Sequence, residues 1–472
     1  MLSELDSPII AIATPPGRGA VGVVRLSGKN LVGFAEQLTQ KKLKPRQAHL
    51  VSIKDVNAQT IDQVLAVYFQ APHSYTGEDV LELQGHGGPV VLHMLAERCL
   101  QLANTTDADG KPLLANLRRA QPGEFTQRAY LNQKLDLAQA ESVADLIDAN
   151  TQAAVRSANR SLEGQFSRQI QELQTQLTHL RMQIEACLDF PEEDIDFIEQ
   201  LQVKAQLQAM IQQNQALLMQ AEQGRLLRDG LKMVIAGQPN AGKSSLLNAL
   251  AGAEVAIVTA IPGTTRDVLT QTLHIEGVPL HVLDTAGLRD VAMADEVEQI
   301  GMQRAWAQIA DADIVLLLKD LSLEADEEYV RKQTALDKKI QTHTGAQTRV
   351  IRVSNKADLA PASVATHANG VNISAKTGWG MQELRAEILK QAGGNASLME
   401  GVFTARTRHI EALKNVETHL TLAPALLAQN PPPLDIVAEE CRLAQQALSQ
   451  ITGELTADDL LGEIFSRFCI GK

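Results

Sequence analysis

The chain has 472 residues, 44% of them apolar and 21% charged, and 43 basic against 56 acidic side chains leave a net charge of −13. This length predicts two to four domains. No apolar run is long enough to span a membrane, and the first residues lack the pattern of a signal peptide, so we expect a cytoplasmic protein. An acidic chain does not coat nucleic acid by itself, so any RNA contact has to be local or shared with a partner protein. The four cysteines are far apart and indicate neither a disulfide framework nor a zinc site.

The first domain is predicted to be mixed α/β and to cover residues 1–123. Short β-branched runs such as GAVGVVRLSG alternate with Gly and Pro. The run VLELQGHGG predicts a strand, and VVLHMLAERCLQLA after it predicts a helix.

Helical patterns begin at about residue 124 and extend to 229. Apolar residues at intervals of three or four predict one face of a long helix: Leu162, Phe166, Ile170, Leu173, Leu177, Leu180, Ile184 and Leu188. An acidic segment at Pro191 interrupts the pattern, and a helix rich in Gln and Leu follows to about Leu227. Helices resume over 394–472, broken once by the three prolines at 431–433.

Residues 230–393 alternate apolar runs with helical stretches, which is typical of a doubly wound, mostly parallel sheet. The amphipathic helices on either side of this region cannot bury their apolar faces alone. We therefore predict one discontinuous helical domain, formed by 124–229 and 394–472, with the α/β domain inserted between its two parts.

The segment GQPNAGKS, Gly237 to Ser244, follows a strand pattern and opens a helix pattern, which is the context of a phosphate-binding loop. Backbone amides of such a loop curl around phosphates, the Lys243 ammonium reaches the β- and γ-phosphates, and the Ser244 hydroxyl binds Mg²⁺. The predicted nucleotide contacts of this loop are Asn240, Ala241, Gly242, Lys243, Ser244 and Ser245.

Four further motifs follow in order, GTTR (263–266), DTAG (284–287), NKAD (355–358) and SAK (374–376). The Asp358 carboxylate accepts two hydrogen bonds from guanine, and adenine offers no such donor pair. Together the five motifs predict a GTPase domain of the P-loop type. The further predicted nucleotide contacts are Thr264, Thr265, Asp284, Thr285, Ala286, Gly287, Asn355, Lys356, Asp358, Ser374, Ala375 and Lys376.

Catalysis departs from that of small GTPases, in which a Gln after DTAG orients the attacking water. Leu288 occupies that position here and cannot orient a water. No arginine stands out as a catalytic arginine finger either, since Arg266 and Arg289 fit a solvated surface position equally well. Asn240 and the carbonyls of residues 258–265 are hard oxygen ligands, which suit a monovalent cation such as K⁺ beside the phosphates.

The assembled motifs resemble those of the MnmE (TrmE) family of tRNA modification GTPases. The resemblance covers nearly the whole chain and rests on ATPPGRGAVGVVRLSG, TGEDVLELQGHGGP, PGEFTQRAYLNQKLDLAQAESVADLIDA, GTTRDVL and FCIGK. It implies an N-terminal folate-binding domain, a discontinuous helical domain and an inserted G domain.

The resemblance also implies a function and partners. Family members form homodimers through the N-terminal domain, and their G domains pair across a K⁺-dependent interface during GTP hydrolysis. In a heterotetramer with the flavoprotein MnmG (GidA), they add an aminomethyl-type group, such as carboxymethylaminomethyl, to C5 of the wobble uridine of certain tRNAs. A tetrahydrofolate derivative, 5-formyl or 5,10-methylene, supplies the one-carbon unit.

The family's metal ligands carry over position by position. Ser244 and Thr265 fall on Mg²⁺, and the K⁺ ligands are Asn240, Thr259, Ile261 and Thr264. This chain has Ala260 and Pro262 where many relatives have Asp and Ala. Proline removes a backbone donor, but carbonyl ligation by its neighbours does not need that donor.

The resemblance assigns the water-orienting role in catalysis to Glu298, acting beside Lys243. Glu296 is the alternative, because the loop after DTAG is longer than the family pattern suggests. The alternative to a catalytic role is that these acidic residues simply begin a solvated helix, where negative charge is stabilising.

For folate, the resemblance implies contacts from Arg25, Glu82 and Lys134. A carboxylate receives the ring N–H and the 2-amino group of a pterin as a pair, and basic groups suit its carbonyl or its glutamate tail. Each of the three residues taken alone is more often a surface charge.

The FCIGK tail lies beside the folate pocket in this family, with Phe465 and Phe468 as its anchors. Lys472 then lies near the one-carbon unit, and Cys469 is a candidate reactive thiol. A buried apolar cysteine is the alternative for Cys469.

A GTP-driven switch in ribosome assembly is the competing function. Such proteins usually carry a recognisable RNA-binding module, and the sequence offers neither a KH-type GxxG loop nor a basic stripe. The N-terminal module and the FCIGK tail favour tRNA modification.

Overall fold

The structure is a computed structural model and describes residues 6–106, 110–189, 202–252, 270–283, 305–345, 348–359, 370–391, 401–454, 458–466 and 468–471. Contacts between residues divide the chain into two compact units. The first unit comprises Met1–Ala144, Leu162–Thr178 and Arg442–Lys472, and the second comprises Asp145–Ser161 and His179–Cys441. The domain borders at 123, 229 and 393 stay predictions. Among the described residues, no helix combines the length and the apolar character that crossing a membrane requires.

A six-stranded sheet lies in the first unit. Its strands are β1 (Ile9–Ile12), β2 (Val21–Gly28), β3 (Ala48–Lys54), β4 (Thr60–Phe69), β5 (Asp79–His86) and β6 (Arg118–Arg119). In space they follow the order β3-β4-β5-β2-β1-β6, and neighbouring strands are antiparallel except for β1 and β6. In β4 the alternate residues Val64, Ala66 and Tyr68 are buried, which is the period that a sheet with one covered face produces.

Two helices cover the buried face of this sheet, α1 (Val32–Thr39) and α2 (Pro89–Ala103). Phe34 of α1 and Leu95 of α2 share one hydrophobic core with Val64 of β4. The mixed α/β class predicted for the N-terminal region is confirmed.

Helices dominate the next part of the chain. They are α3 (Glu124–Leu131), α4 (Leu137–Asp148), α5 (Gln152–Leu162), α6 (Gln165–Asp189) and α7 (Val203–Asp229). The predicted apolar face is confirmed within α6, where its members from Phe166 to Ile184 are buried. The single long helix predicted from Leu162 to Leu188 is wrong at its N-terminal end, because Gly164 has φ +78° and separates α5 from α6. The helix does extend past Leu188, but Leu188 is 41% exposed and does not belong to the buried face.

The second unit contains a doubly wound sheet. Its strands are β7 (Leu231–Gly237), β8 (Thr270–Ile275), β9 (Val278–Leu283), β10 (Ile314–Asp320), β11 (Arg349–Asn355) and β12 (Val371–Asn372). Their order is β12-β11-β10-β7-β9-β8, parallel except for the β8–β9 hairpin at one edge. The connecting helices include α8 (Lys243–Ala251), α9 (Glu327–His343) and α10 (Met381–Gln391). The predicted mostly parallel sheet is therefore confirmed.

Three helices follow the second sheet, α11 (Thr407–Leu426), α12 (Leu434–Thr452) and α13 (Asp458–Ser466). The predicted break at the three prolines lies between α11 and α12. A second break, which the sequence analysis did not predict, begins at Gly453 with φ +88°.

Helices α7 and α11 cross closely within the second unit, although the sheet separates them in the sequence. Asn214 in α7 is buried and donates from Nδ2 to the carbonyl of Leu413 in α11 at 3.0 Å. A Cβ on Gly224 would lie 2.0 Å from the carbonyl oxygen of Phe403, so only glycine allows the approach of these backbones. The helical flanks pack against each other, as the prediction of an inserted domain requires.

Candidate functional site

The predicted phosphate loop connects β7 to the first turn of α8 in the second unit. Asn240 has φ +63° and Gly242 has φ +96°, and this left-handed backbone bends the loop into the concave shape that exposes amides to an anion. The Lys243 ammonium donates to the carbonyls of Gly237 at 2.8 Å and Gln238 at 3.0 Å, so it lies over the loop. Ser244 and its neighbour Ser245 are exposed at the mouth of the loop.

Asn355, at the end of β11, joins the phosphate loop to the SAK segment. It is 2% exposed, and its Nδ2 donates to the carbonyl of Ala241 at 2.9 Å. Its Oδ1 accepts from the backbone amide of Ala375 at 3.1 Å. A Cβ on Gly242 would lie 2.3 Å from Asn355 Nδ2, so glycine is required where the two segments meet. One buried amide side chain thus fixes the distance between the phosphate end and the base end of the site.

Asp358 lies at the exposed edge of the same site. Its Oδ1 accepts a hydrogen bond of 2.7 Å from the hydroxyl of Ser374, which is 1% exposed. The hydroxyl therefore fixes the direction in which the carboxylate faces. Lys376, two residues beyond Ser374, is exposed.

Lys356 has a partner that the sequence motifs did not predict. Its backbone is left-handed, with φ +62°, and its ammonium donates to Oδ2 of Asp320 at 2.6 Å. Asp320 is 2% exposed; burial alone raises its pKa, but hydrogen bonds from Lys356 and Ser322 outweigh burial and hold that pKa below its usual value. The available signal was its position as the last residue of β10, at the carboxyl edge of a parallel sheet where ligands bind.

Ten predicted site residues lie outside the described part of the chain. They are Thr259, Ile261, Thr264, Thr265, Asp284, Thr285, Ala286, Gly287, Glu298 and Lys472.

Arg25 and Glu82, two of the predicted folate contacts, face each other across β2 and β5 in the first unit. Arg25 binds Oε1 of Glu82 through both Nε and Nη2 at 2.8 Å, and the two side chains are 21% and 16% exposed. The Arg25 guanidinium also lies 5.9 Å from the ring centre of Tyr75 and 5.8 Å from that of Phe125. Arg25 and Glu82 therefore form a half-buried ion pair beside two aromatic rings.

Lys134, the third predicted folate contact, is exposed and lies on the loop after α3. Its ammonium donates to the carbonyl of Pro72 at 3.1 Å. No hydrogen bond in the described structure joins Lys134 to Arg25 or Glu82. The structure therefore joins the first two predicted residues in an ion pair, and the hydrogen bond described for Lys134 is to a different partner.

The comparison with known proteins covers the whole chain. The model of the MnmE helical domain matches residues 137–469, and that of the GTP-binding protein TrmE N-terminus matches residues 8–134. Proteins named tRNA modification GTPase MnmE from Acidovorax sp. (strain JS42) and Paracidovorax citrulli are 56% and 55% identical, over 100% of this chain and of each relative. The chain belongs to the MnmE (TrmE) family. The relative from Bordetella parapertussis is 51% identical over 99% of this chain and 100% of its own length.

A solved structure of the G domain of the T. maritima FeoB iron transporter matches 34% of this chain and 98% of its own, at 27% identity and a TM-score of 0.26. That score is too low to support a conclusion. Membership of the MnmE family therefore rests on the sequence matches.

The C-terminal segment of this MnmE-family chain docks within the first unit. Phe465 and Phe468 share a hydrophobic cluster with Leu137, and the Gly123 amide donates to the carbonyl of Cys469 at 3.3 Å. Arg25 Nη1 donates to the carbonyl of residue 471 at 3.3 Å. The tail thus reaches the Arg25–Glu82 pair.

Cys469 is exposed in this arrangement, so the alternative of a buried cysteine is wrong. Two of the other cysteines are buried, and burial raises the pKa of Cys99 to about 12 and that of Cys441 to about 11. Burial also raises the pKa of Cys187. Those three thiols are poor nucleophiles at neutral pH.

A buried ionic network supports the aromatic wall, and the sequence patterns did not predict it. Arg128, 2% exposed, donates to Glu78 at 3.0 Å and to Glu124 at 2.8 Å, and Arg118 also donates to Glu124 at 2.7 Å. Burial alone raises the pKa of Glu124, but these arginines outweigh burial and lower it. Phe125, which faces Arg25, directly follows Glu124. The i,i+4 spacing of Glu124 and Arg128 was the available signal, whereas Glu78 lies 50 residues from Arg128 and could not be paired with it from the sequence.

Proposed function

We propose that this chain hydrolyses GTP in the modification of the wobble uridine of tRNA. The observation that carries the proposal is the assembly of the phosphate loop, Asn355 and Asp358 at one sheet edge, in a chain that matches proteins named tRNA modification GTPase from end to end. Fold alone does not define function, so the proposal rests on the site and on the length of the match together.

In the proposed reaction, GTP lies along the edge from the phosphate loop to Asp358. The Lys243 ammonium moves from the carbonyls of Gly237 and Gln238 to the β- and γ-phosphates, because oxyanions are better acceptors than loop carbonyls. Asp358, oriented by Ser374, accepts from the guanine ring N–H and amine. Ala375, whose amide already faces the Asn355 side chain, lies at the base end of the site.

Oxygen donors in the G domain fit the metals that the family implies. Ser244, an exposed hydroxyl at the mouth of the loop, would hold Mg²⁺ with Thr265, and the metal would neutralise charge on the phosphates. Asn240, exposed in the left-handed part of the loop, would hold K⁺ with Thr259, Ile261 and Thr264. Glu298 would orient the attacking water.

The first unit is proposed to bind a tetrahydrofolate derivative at the Arg25–Glu82 pair. Glu82 is a half-buried carboxylate, and the rings of Tyr75 and Phe125 beside Arg25 suit a flat heterocycle. The pterin N–H and amine would bind Glu82, while Lys134 would meet the ligand's glutamate. Cys469 and Lys472 would lie by the one-carbon unit.

The proposed partners are a second copy of the chain, the flavoprotein MnmG in a heterotetramer, and tRNA, all in the cytoplasm. Support for the homodimer comes from exposed apolar residues on the face of the first sheet that lies opposite α1 and α2. Leu50 and Leu65 are paired neighbours on β3 and β4 and are 63% and 42% exposed, and Val21 on β2 is 61% exposed. Exposed apolar residues that lie together on one sheet mark an interaction surface.

Purified protein tests the GTPase part of the proposal. Phosphate release from GTP should be measured for the unaltered chain and for Lys243→Ala, with Lys338→Ala as the matched control on α9. We expect Lys243→Ala to lose most of the activity and Lys338→Ala to retain it. Hydrolysis that survives in Lys243→Ala would contradict the assignment of this site.

A further inference from the structure

A short basic segment, residues 41–46, has no role in the site described above. It carries four cations in six residues, Lys41, Lys42, Lys44 and Arg46, and all four are exposed. None of them forms an ion pair with any residue that the structure describes. In a chain with a net charge of −13, such a group of unneutralised cations is a local exception.

The basic segment is held in place by its backbone. Leu43, in its middle, is 8% exposed and belongs to the core of the first unit. The Arg46 amide donates to the carbonyl of Tyr68 on β4 at 2.8 Å, and the Lys44 amide donates to His49 Nε2 at 3.1 Å. The buried leucine anchors the segment, so the flanking lysines are displayed on an ordered surface.

The basic segment lies beside the proposed folate site. Arg46 Nη2 donates to the carbonyl of His73 at 3.1 Å, and Lys134 donates to the adjacent carbonyl, that of Pro72, also at 3.1 Å. Tyr75, two residues farther on, contacts the Arg25 guanidinium. One loop therefore connects the basic segment, Lys134 and the wall of the Arg25–Glu82 pocket.

We propose that the basic segment binds backbone phosphates of the substrate tRNA, an inference that rests on the proposed function. Direct transfer of a one-carbon unit from folate to C5 of a uridine would bring this nucleotide to the folate pocket and RNA backbone over the adjoining surface. Lysines are compact, strongly hydrated charges that bind phosphates without reading the base. An exposed row of them suits a polymer that continues beyond the pocket. The poly-γ-glutamate tail of a folate is the competing polyanion.

The test uses the full-length chain and an unmodified tRNA transcript. The variant is Lys41→Gln/Lys42→Gln/Lys44→Gln, and the matched control is Lys338→Gln/Lys339→Gln, two adjacent exposed lysines on α9. The Kd for tRNA should be measured from low to moderate KCl, with and without the flavoprotein partner. We expect the triple variant to bind at least about tenfold more weakly and its salt slope to fall by about two, since each lost phosphate contact removes 0.7 to 0.9 from that slope. GTP hydrolysis of both variants should equal that of the unaltered chain.

Two results would overturn the proposal. The first concerns tRNA: an affinity that is unchanged in the triple variant, that falls equally in the control variant, or that cannot be detected for the unaltered chain with or without the flavoprotein. The second concerns folate: a triple variant that binds a polyglutamylated folate more weakly, relative to the monoglutamate, while its tRNA affinity is intact. That result would assign the segment to the folate tail. Failure of the proposed function is a separate result, because it shows as unchanged wobble nucleosides in cells that lack the protein.

Discussion

Asp358 faces solvent at the base end of the nucleotide site, with one oxygen held by Ser374. An Asp358→Asn substitution replaces an acceptor by an amide donor, so guanine loses a charge-assisted hydrogen bond worth about 1.5–3 kcal/mol. We expect GTP affinity to fall about 10- to 100-fold and xanthosine triphosphate, which has a carbonyl in place of the amine, to be preferred. Competition binding of the two nucleotides checks this. A variant that still prefers GTP would mean that another residue reads the base.

Glu124 and its arginine partners make a second prediction at the scale of residues. Removal of one partner from a buried ion pair leaves uncompensated charge, so Glu124→Gln should lower the free energy of unfolding by about 3–5 kcal/mol. The folded-state pKa of Glu124 is lowered, and its stabilisation is therefore complete above the unfolded pKa of about 4.3 and is lost as pH falls through the folded pKa. The melting temperature measured from pH 7 to pH 3 should accordingly depend less on pH in the variant.

The matched control for that substitution is Glu97→Gln. Glu97 is half-exposed and pairs with the equally exposed Arg119, so its loss should cost no more than about 1 kcal/mol. Equal effects of the two substitutions would show that the buried network adds nothing beyond a surface ion pair.

At the scale of elements, the C-terminal segment connects the helices of the first unit to the Arg25–Glu82 pair. A Cβ on Gly471, where φ is +97°, would lie 2.7 Å from the Cα of Ala13. We expect Gly471→Ala, or removal of residues 469–472, to abolish wobble modification and leave GTP hydrolysis nearly intact, because GTP binds in the second unit. Both activities should be assayed on the same preparations.

Gly462 is the control for this prediction, because a Cβ there meets nothing within 4 Å. Gly462→Ala should retain both activities. If both activities collapse together in the truncated chain while circular dichroism shows a folded protein, the tail belongs to the GTPase cycle. If neither changes, the tail has no part in the chemistry.

Elements whose chemistry is local could be predicted from the sequence. The phosphate loop follows β7 and opens α8 as predicted, because glycines and a lysine at fixed spacing suffice to define it. The Asp320–Lys356 pair and the Arg128–Glu78 pair, 36 and 50 residues apart, could not be predicted, because only the folded sheets bring their partners together. The break at Gly164 was missed because the apolar period continues across it.

At the scale of the whole molecule, GTP hydrolysis is expected to depend on the monovalent cation. In the proposed site, carbonyl and amide oxygens that include the Asn240 side chain would hold K⁺, and the charge of the ion would take the place of an arginine. We predict faster steady-state phosphate release in KCl than in NaCl at the same ionic strength. The Asn240→Ala variant should lose this difference between the salts. Equal rates for the unaltered chain in both salts would show that K⁺ has no specific role in GTP hydrolysis.

The central claim is that one chain joins GTP hydrolysis to modification of the wobble uridine. Mass spectrometry of tRNA nucleosides tests it most directly, in cells that lack the gene and in the same cells carrying the unaltered chain or Lys243→Ala. We predict that C5-aminomethyl-type uridines disappear on deletion, return with the unaltered chain and do not return with Lys243→Ala. Wobble nucleosides that are unchanged by the deletion would contradict it.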